Sequence, residues 1–323
     1  MKRPAGLARS LSVRDFRLFQ ALIHREAGIH LSNGKRALVE GRLARRVREL
    51  DLDFRGYYDL VVGDEDERVR MLDSISTNET HFFREPRQFE YLESRIFPDW
   101  QARAQDGRMS RRVRVWSAAC STGEEPCSVA MSFLARFPPG SGWEIDILAT
   151  DISTRALERA RQAIYALEKS KEIPAAYLKA FMLRGSGPRE GWMRVGPEIR
   201  SVIRFCRANL NEESTLPPGP FNLILCRNVL IYFDSASKAR VLDRMMGRLD
   251  PHGHLLLGHA EAITGLGART RAVGPTVYVH ADVPPSACRA LAPDPGAGPT
   301  TRPDTGWTRA GNRNDEERKA ATT

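Results

Sequence analysis

No stretch of the 323-residue chain comes near the roughly 20 consecutive apolar residues that a membrane span requires, although 41% of the residues are hydrophobic. The start, Met1-Lys2-Arg3-Pro4-Ala5-Gly6, lacks the apolar core of a secretory leader, so a cytoplasmic protein with no direct membrane insertion is expected. Cysteine is scarce too. Cys120, Cys127, Cys206, Cys226 and Cys288 are odd in number and form no C-x-x-C pair, which argues against a zinc site and against a disulfide framework; no metal is expected. Acidic residues are outnumbered, 40 against 49 Lys and Arg. The resulting charge of +9 calls for an anionic partner without naming it.

The most informative stretch is residues 113–151. Val113-Arg114-Val115-Trp116-Ser117-Ala118-Ala119 is short and rich in β-branched and aromatic residues, as a buried strand is. A small-residue turn, Cys120-Ser121-Thr122-Gly123, leads through Glu124-Glu125-Pro126 into a helical pattern. Glu144-Ile145-Asp146-Ile147-Leu148-Ala149-Thr150-Asp151 is a second strand, ending on a carboxylate. This is a β-α-β unit, and ligands of open parallel sheets bind at the carboxyl ends of the strands. One glycine stands where a dinucleotide fingerprint needs three, so a pyrophosphate is not the expected ligand. Carboxylates at the turn suit a cationic amino group, and the acid ending the next strand suits two ribose hydroxyls. Those are the two ends of S-adenosylmethionine. Plainer roles fit the same residues: Glu124 and Glu125 complement a helix dipole, and Asp151 ends a strand.

Around this unit, Ser12 with Asp15 three residues on marks the start of a small helical domain over 1–100. A helix over about 34–50 carries Val39, Leu43, Val47 and Leu50 as its apolar stripe, and Arg42, Arg45, Arg46 and Arg48 on its flanks and outer face. Those arginines are a solvated face or a docking surface for an acidic partner; in the helix itself only Glu40 and Glu49 oppose them. The segment 76–86 breaks the helical pattern with locally bonding polar residues, anchors itself with Phe82 and Phe83, and carries Arg84 directly behind. Another helix over 89–100 and a polar linker, 101–112, precede the sheet domain, 113–280. Ser153 caps a helix expected to run to Tyr165; a glycine- and proline-rich region with Trp192-Met193-Arg194-Val195 suggests a small hairpin within 184–203. Strands follow at 203–210, ending near Asn209, and at 221–228, ending on Arg227-Asn228; then come a helix to Leu249 and strands at 254–259 and 276–280. Residues 281–323 have a composition typical of disorder.

Four segments together resemble the signature segments of the bacterial chemotaxis receptor methyltransferases, the CheR family: 77–85 (Thr-Asn-Glu-Thr-His-Phe-Phe-Arg-Glu), 115–126, Ala149-Thr150-Asp151-Ile152, and 225–233 (Leu-Cys-Arg-Asn-Val-Leu-Ile-Tyr-Phe). The similarity runs from about Ser12 to His280. It implies an α/β fold, a class I S-adenosylmethionine-dependent methyltransferase with a mainly parallel seven-stranded sheet, a small N-terminal all-α domain and a small antiparallel β-subdomain insertion. The implied reaction forms a glutamate γ-methyl ester on the cytoplasmic part of a chemoreceptor, with the enzyme recruited to membrane receptor arrays and acting as a monomer. Carried over by position, Asn78, Thr80 and Arg84 contact the cofactor or frame the transfer site, Glu125 takes the methionine end, Asp151 the ribose, and Asn209, Leu210, Asn228 and Val229 the adenosine side. Glu124 stands beside Glu125 and could share its role. Tyr232 is a pocket-wall candidate, or a core tyrosine. In some members the β-subdomain grips an aromatic-containing receptor C-terminal peptide. Cys127, Asn222 and Ala260 depart from the commonest pattern, and none is a ligand named here. A nucleic-acid methyltransferase would fit the charge, but no basic aromatic strand platform appears, so no nucleic-acid partner is expected. A sensor that binds the cofactor without catalysis would not need Arg84.

Overall fold

The computed structural model describes residues 10–261, 269–282 and 307–309. Four helices form the first layer: α1 (Val13–Ala27), α2 (Arg36–Glu49), α3 (Phe54–Gly63) and α4 (Glu65–Ile75). Ser12 caps α1 by accepting the Asp15 amide, and Gly28, with φ of 71°, ends it in the left-handed conformation. The α2 stripe works as the spacing predicts: Val39, Leu43 and Val47 are fully buried against Phe19, Tyr57 and Met71.

The next helical stretch is α5 (Pro86–Tyr91), a short π-helical turn (Leu92–Ile96) and α6 (Phe97–Gln105). Two boundaries differ from expectation. The helical core closes at Ile75, whereas Phe82, Phe83, Phe89, Phe97 and Trp100 pack into the core of the sheet. The division between the two cores therefore falls near Ser76 and not at residue 100, and the helix runs on to Gln105 through residues expected to be linker. The reason is that Phe97 meets the Phe133 ring edge-on and Trp100 packs on it at a tilt, which holds this helix against the sheet core.

The sheet domain follows as β1 (Arg112–Ala118), α7 (Glu124–Arg136), β2 (Glu144–Asp151), α8 (Thr154–Gln162), β3 (Ile164–Ala166), α9 (Ala175–Phe181), β4 (Met182–Gly185), β5 (Trp192–Val195), α10 (Pro197–Ser201), β6 (Ile203–Arg207), β7 (Phe221–Cys226), α11 (Ser235–Met246), β8 (Leu249–Leu257), β9 (Thr270–Gly274), β10 (Val277–His280) and β11 (Trp307–Arg309). The main sheet has the order β6-β2-β1-β7-β8-β10-β9, parallel from β6 to β8 and antiparallel at β10 and β9. Its central strands read as continuous apolar runs because helices cover both faces.

The small sheet is larger than the expected hairpin: four antiparallel strands in the order β11-β4-β5-β3. The helix after Ser153 stops at Gln162, and Ile164-Tyr165-Ala166 pairs with β5 as a strand. Trp307–Arg309, within the stretch whose composition suggests disorder, pairs with β4; the rest of that stretch beyond Asp282 lies outside the described residues. Cys120, Cys127, Cys206 and Cys226 are free thiols, and Cys288 lies outside the described residues. No described helix is long and apolar enough to cross a membrane.

Candidate functional site

The chain leaves β1 through a turn held in an uncommon backbone conformation. Ala119, Ser121 and Gly123 have φ of 61°, 52° and 95°, and the Cys120 and Gly123 amides donate to the Thr150 and Cys120 carbonyls. At Gly123 glycine is needed twice over, for the positive φ and because a Cβ would lie 2.9 Å from that of Ala160. Strain of this kind concentrates at functional sites. The turn and the carboxyl ends of β2, β6 and β7 floor a cavity of about 390 Å³, and the helical domain roofs it. That volume falls within the range of small-molecule sites, about 300–1,000 Å³.

The floor is anionic. Asp151 accepts the Ser121 amide at one carboxylate oxygen and the Ser153 amide at the other, both at 2.8 Å. Burial pushes its carboxyl up from the ordinary value, and the two amides act against that. Each oxygen retains a lone pair for a further donor. Glu125 accepts the Ser117 hydroxyl at 2.7 Å and Arg227 at 3.2 Å. Burial pushes it up as well, with the Arg227 charge opposing. Glu124 and Glu125, inseparable in the sequence, point to different places. Glu125 lines the cavity, whereas Glu124 turns beneath the small sheet to Lys169 at 2.6 Å and the Thr122 hydroxyl at 2.6 Å. Ser121 Oγ is buried at the cavity with no hydrogen-bond partner among the described residues.

The wall behind Glu125 holds a charge network absent from the sequence reading. Arg227, with a side chain only 2% exposed, sits between Glu85 at 3.4 Å and Glu125 at 3.2 Å, donates to the Arg84 carbonyl, and lies over the Phe89 ring. Glu85 accepts the Asn228 side-chain amide at 3.3 Å and the His259 backbone amide at 3.1 Å. Glu261 accepts the Asn228 backbone amide at 2.7 Å. Asn228 itself takes φ of 58°, which an asparagine tolerates. The sequence signal for Arg227 was its position at the end of a buried strand, directly before Asn228.

The roof is the segment 76–84 and the end of α1. Lys169 donates to the Thr80 carbonyl, the Phe82 amide to Glu172 and the Phe83 amide to Ser128. Asn78, Thr80 and Arg84 line the cavity, and the Arg84 guanidinium has no hydrogen bond or ion pair with any described residue. Leu210, Val229 and half-buried Tyr232 line the far end, where the Tyr232 carbonyl accepts the His30 amide at 2.7 Å. Asn209 lines it too, but its side chain also ties the two domains: it donates to the Glu26 carbonyl at 2.7 Å and accepts the Asn211 amide at 3.0 Å. Asp73 adds a second tie, accepting the Thr154 amide at 2.7 Å and its hydroxyl at 2.6 Å.

Arg42, Arg45, Arg46 and Arg48 of α2 do not share one face, which corrects the expectation of a single basic surface. Arg42 donates to the Ile75 carbonyl and to the Thr77 hydroxyl, so it braces the segment carrying Asn78 and Thr80. Arg46 makes a two-bond fork to Glu67 of α4 at 2.8 and 2.6 Å, and Tyr57 donates to the same carboxylate at 3.1 Å. That carboxyl is held below its ordinary value first by the Arg46 hydrogen bonds. Of these four, Arg45 and Arg48 face solvent.

Comparison with known proteins gives this arrangement a family. Residues 14–76 match the CheR methyltransferase all-alpha domain, and residues 78–279 match the CheR methyltransferase SAM binding domain. The junction between the two matches coincides with the boundary between the helical and sheet cores. The chemotaxis protein methyltransferase of Escherichia coli (strain K12) is 40% identical over 273 residues, which cover 83% of this chain and 91% of that protein. Chemotaxis protein methyltransferase 2 of Pseudomonas aeruginosa is 39% identical over 268 residues, covering 82% and 92%. The chain belongs to the CheR methyltransferase family.

Proposed function

We propose that the chain transfers a methyl group from S-adenosylmethionine to the γ-carboxylate of glutamates on the cytoplasmic part of chemoreceptors, giving glutamate methyl esters and S-adenosylhomocysteine. The observation that carries this reading is the convergence, in one cavity between the domains, of Asp151, Glu125 and an Arg84 guanidinium that has no hydrogen bond or ion pair among the described residues. The cavity suits the cofactor chemically. Asp151 keeps free lone pairs for the ribose hydroxyls, Glu125 offers a carboxylate to the methionine ammonium, and the Ser121 hydroxyl, unpaired among the described residues, offers one more polar contact. Asn209, Leu210, Asn228 and Val229 form the end assigned to the adenosine.

When bound, the cofactor supplies a methyl group on a positively charged sulfur. A substrate glutamate is ionised at pH 7, well above its reference pKa of about 4.3, so no general base is needed. The task left to the protein is alignment and exclusion of water, and orientation alone can contribute several kcal/mol. Arg84 is assigned to hold the substrate carboxylate with its planar pair of donors. Asn78 and Thr80 frame the transfer site, and Tyr232 walls it. Arg42 serves this site indirectly by bracing Thr77. The contacts from Asn209 to Glu26 and from His30 to Tyr232 keep the roof closed.

Substrate docking falls to Arg45 and Arg48, the exposed pair among the four arginines considered above, steering a glutamate-rich receptor helix. A receptor C-terminal peptide at the small sheet, recruitment to membrane receptor arrays, a cytoplasmic location and action as a monomer belong to the same reading. Asp151→Ala tests the cofactor placement. Calorimetry with S-adenosylhomocysteine should show affinity weakened by about 1–3 kcal/mol, the value of two lost hydrogen bonds at about 0.5–1.5 kcal/mol each. Unchanged affinity would put the ribose elsewhere.

A further inference from the structure

The outer strand of the small sheet comes from far along the chain. Trp307 stands opposite Gly185, Thr308 opposite Arg184 and Arg309 opposite Leu183, in antiparallel register, with residues 281–306 between this strand and β10. Without β11, the outer row of β4 N–H and C=O groups would be an open edge, the feature of a sheet that most readily takes up another extended chain. Two side chains fix the strand there. The Trp307 indole is 2% exposed and the Arg189 guanidinium lies over it, 5.1 Å from the ring centre. Arg309 pairs with Glu198 at 2.9 Å.

The seat is shaped to receive an aromatic residue. Arg189 is brought over the indole by the tight turn after β4, where a Cβ on Gly185 would come within 2.0 Å of the Arg189 carbonyl oxygen. Pro188 and Trp192 line the same recess as Trp307, and so does Asn78, which also lines the cavity at the strand ends. The strand itself carries Trp307 and Thr308, residues suited to extended structure, in surroundings of Pro, Gly, Asp and Asn that are not. Its attachment has the character of strand addition by a short peptide: main-chain pairing gives affinity and one anchor side chain gives selectivity.

We propose that Trp307–Arg309 is an intramolecular ligand, the chain's own tail filling the β4 edge in cis and competing there with any extended, aromatic-bearing peptide offered in trans. A segment carried on the same chain is presented to the edge intramolecularly, at an effective concentration that can reach the millimolar range. An untethered copy of the same sequence therefore gains access only when the tethered one is disabled.

The probe is a fluorescein-labelled peptide of residues 303–312 of this chain, titrated by anisotropy against the full-length protein and against full-length Trp307→Ala. Saturable binding to the variant, at least tenfold weaker on the wild-type chain, is expected, and an unlabelled peptide carrying Trp307→Ala should not compete. Equal binding to both proteins, or no binding to the variant, overturns the proposal. Hydrogen exchange on the unaltered chain gives a second reading: amides in 307–309 should exchange at least tenfold slower than in the free peptide. Exchange at the free-peptide rate would equally overturn it. Both experiments read strand docking and not methyl transfer, so they stand or fall apart from the proposed reaction.

Discussion

Arginine is put to opposite uses in two regions of this molecule. Behind the cavity, Arg227 is buried and shared between Glu85 and Glu125, while on the outer side of α2 Arg45 is 86% exposed and meets only Glu49, one turn along its own helix. A buried cation with two carboxylate partners is costly to remove, because its loss strands both anions away from water. An exposed one is screened and weakly held, and its effect extends mainly to the approach of a charged partner. Position in the fold therefore decides whether an arginine builds the site or addresses what comes to it. The same division runs through α2 itself, where Arg42 and Arg46 build and Arg45 and Arg48 are left facing solvent.

The sharpest way to break the comparison is Arg227→Met. Removing the shared cation should destabilise the fold by about 3–5 kcal/mol in urea denaturation, the cost typical of breaking a buried ion pair. Adding Glu125→Gln should recover part of that loss. A change comparable to that of a surface substitution would mean that the network is not the internal tie described above.

Arg46 gives the intermediate case. Arg46→Ala leaves Glu67, whose side chain is 4% exposed, with Tyr57 as its remaining buried donor, and should cost about 1–3 kcal/mol. The pair also carries a pH signature. The Glu67 carboxyl is held below its ordinary value in the folded state, so the stability it contributes is fully present above the unfolded pKa of about 4.3 and is lost as pH falls through the folded value. Urea midpoints measured downward from pH 5 should fall less steeply in Glu67→Gln than in the wild type. An unaltered slope would assign the acid sensitivity to other carboxylates.

The smallest effect on the fold is expected from Arg45→Glu with Arg48→Glu, which should leave the urea midpoint where it is. If the pair steers an acidic substrate, the double variant should raise the apparent KM for receptor and flatten its salt dependence, with S-adenosylhomocysteine binding unchanged. Normal methylation across a salt titration would reduce the two arginines to a solvated face.

What the sequence made legible, and what it hid, follows the same line. β1, β2 and β7 are rich in apolar residues, and Ser12 and Ser153 cap α1 and α8, so local pattern was enough for those elements. Asp151 stood out because a strand ended on it. The fate of the α2 arginines could not be read in the same way, since Glu67 lies 21 residues from Arg46 and belongs to another helix, α4. Asn209 was legible as the end of a strand, but not as a tie to α1, because Glu26 is 183 residues away in sequence. β3 was hidden by its shortness and its position just past a helix, where Ala163 in the left-handed conformation turns the chain. β11 is three residues within a compositionally biased stretch, and only pairing with β4 makes it a strand. The difference between Glu124 and Glu125 is a matter of about 100° around a helix, which no composition reveals.

The most direct test of the proposed chemistry uses S-adenosylmethionine labelled in its methyl group, incubated with the full-length protein and receptor-containing membranes, and reads the label released as methanol on mild base treatment. Wild-type protein should give base-labile methanol, the mark of a carboxyl methyl ester. Arg84→Lys should give much less at an unchanged urea midpoint, since a lysine cannot reproduce the planar two-donor hold on a carboxylate. Label that stays fixed through base, or full release from the lysine variant, would contradict respectively the ester product and the role assigned to Arg84.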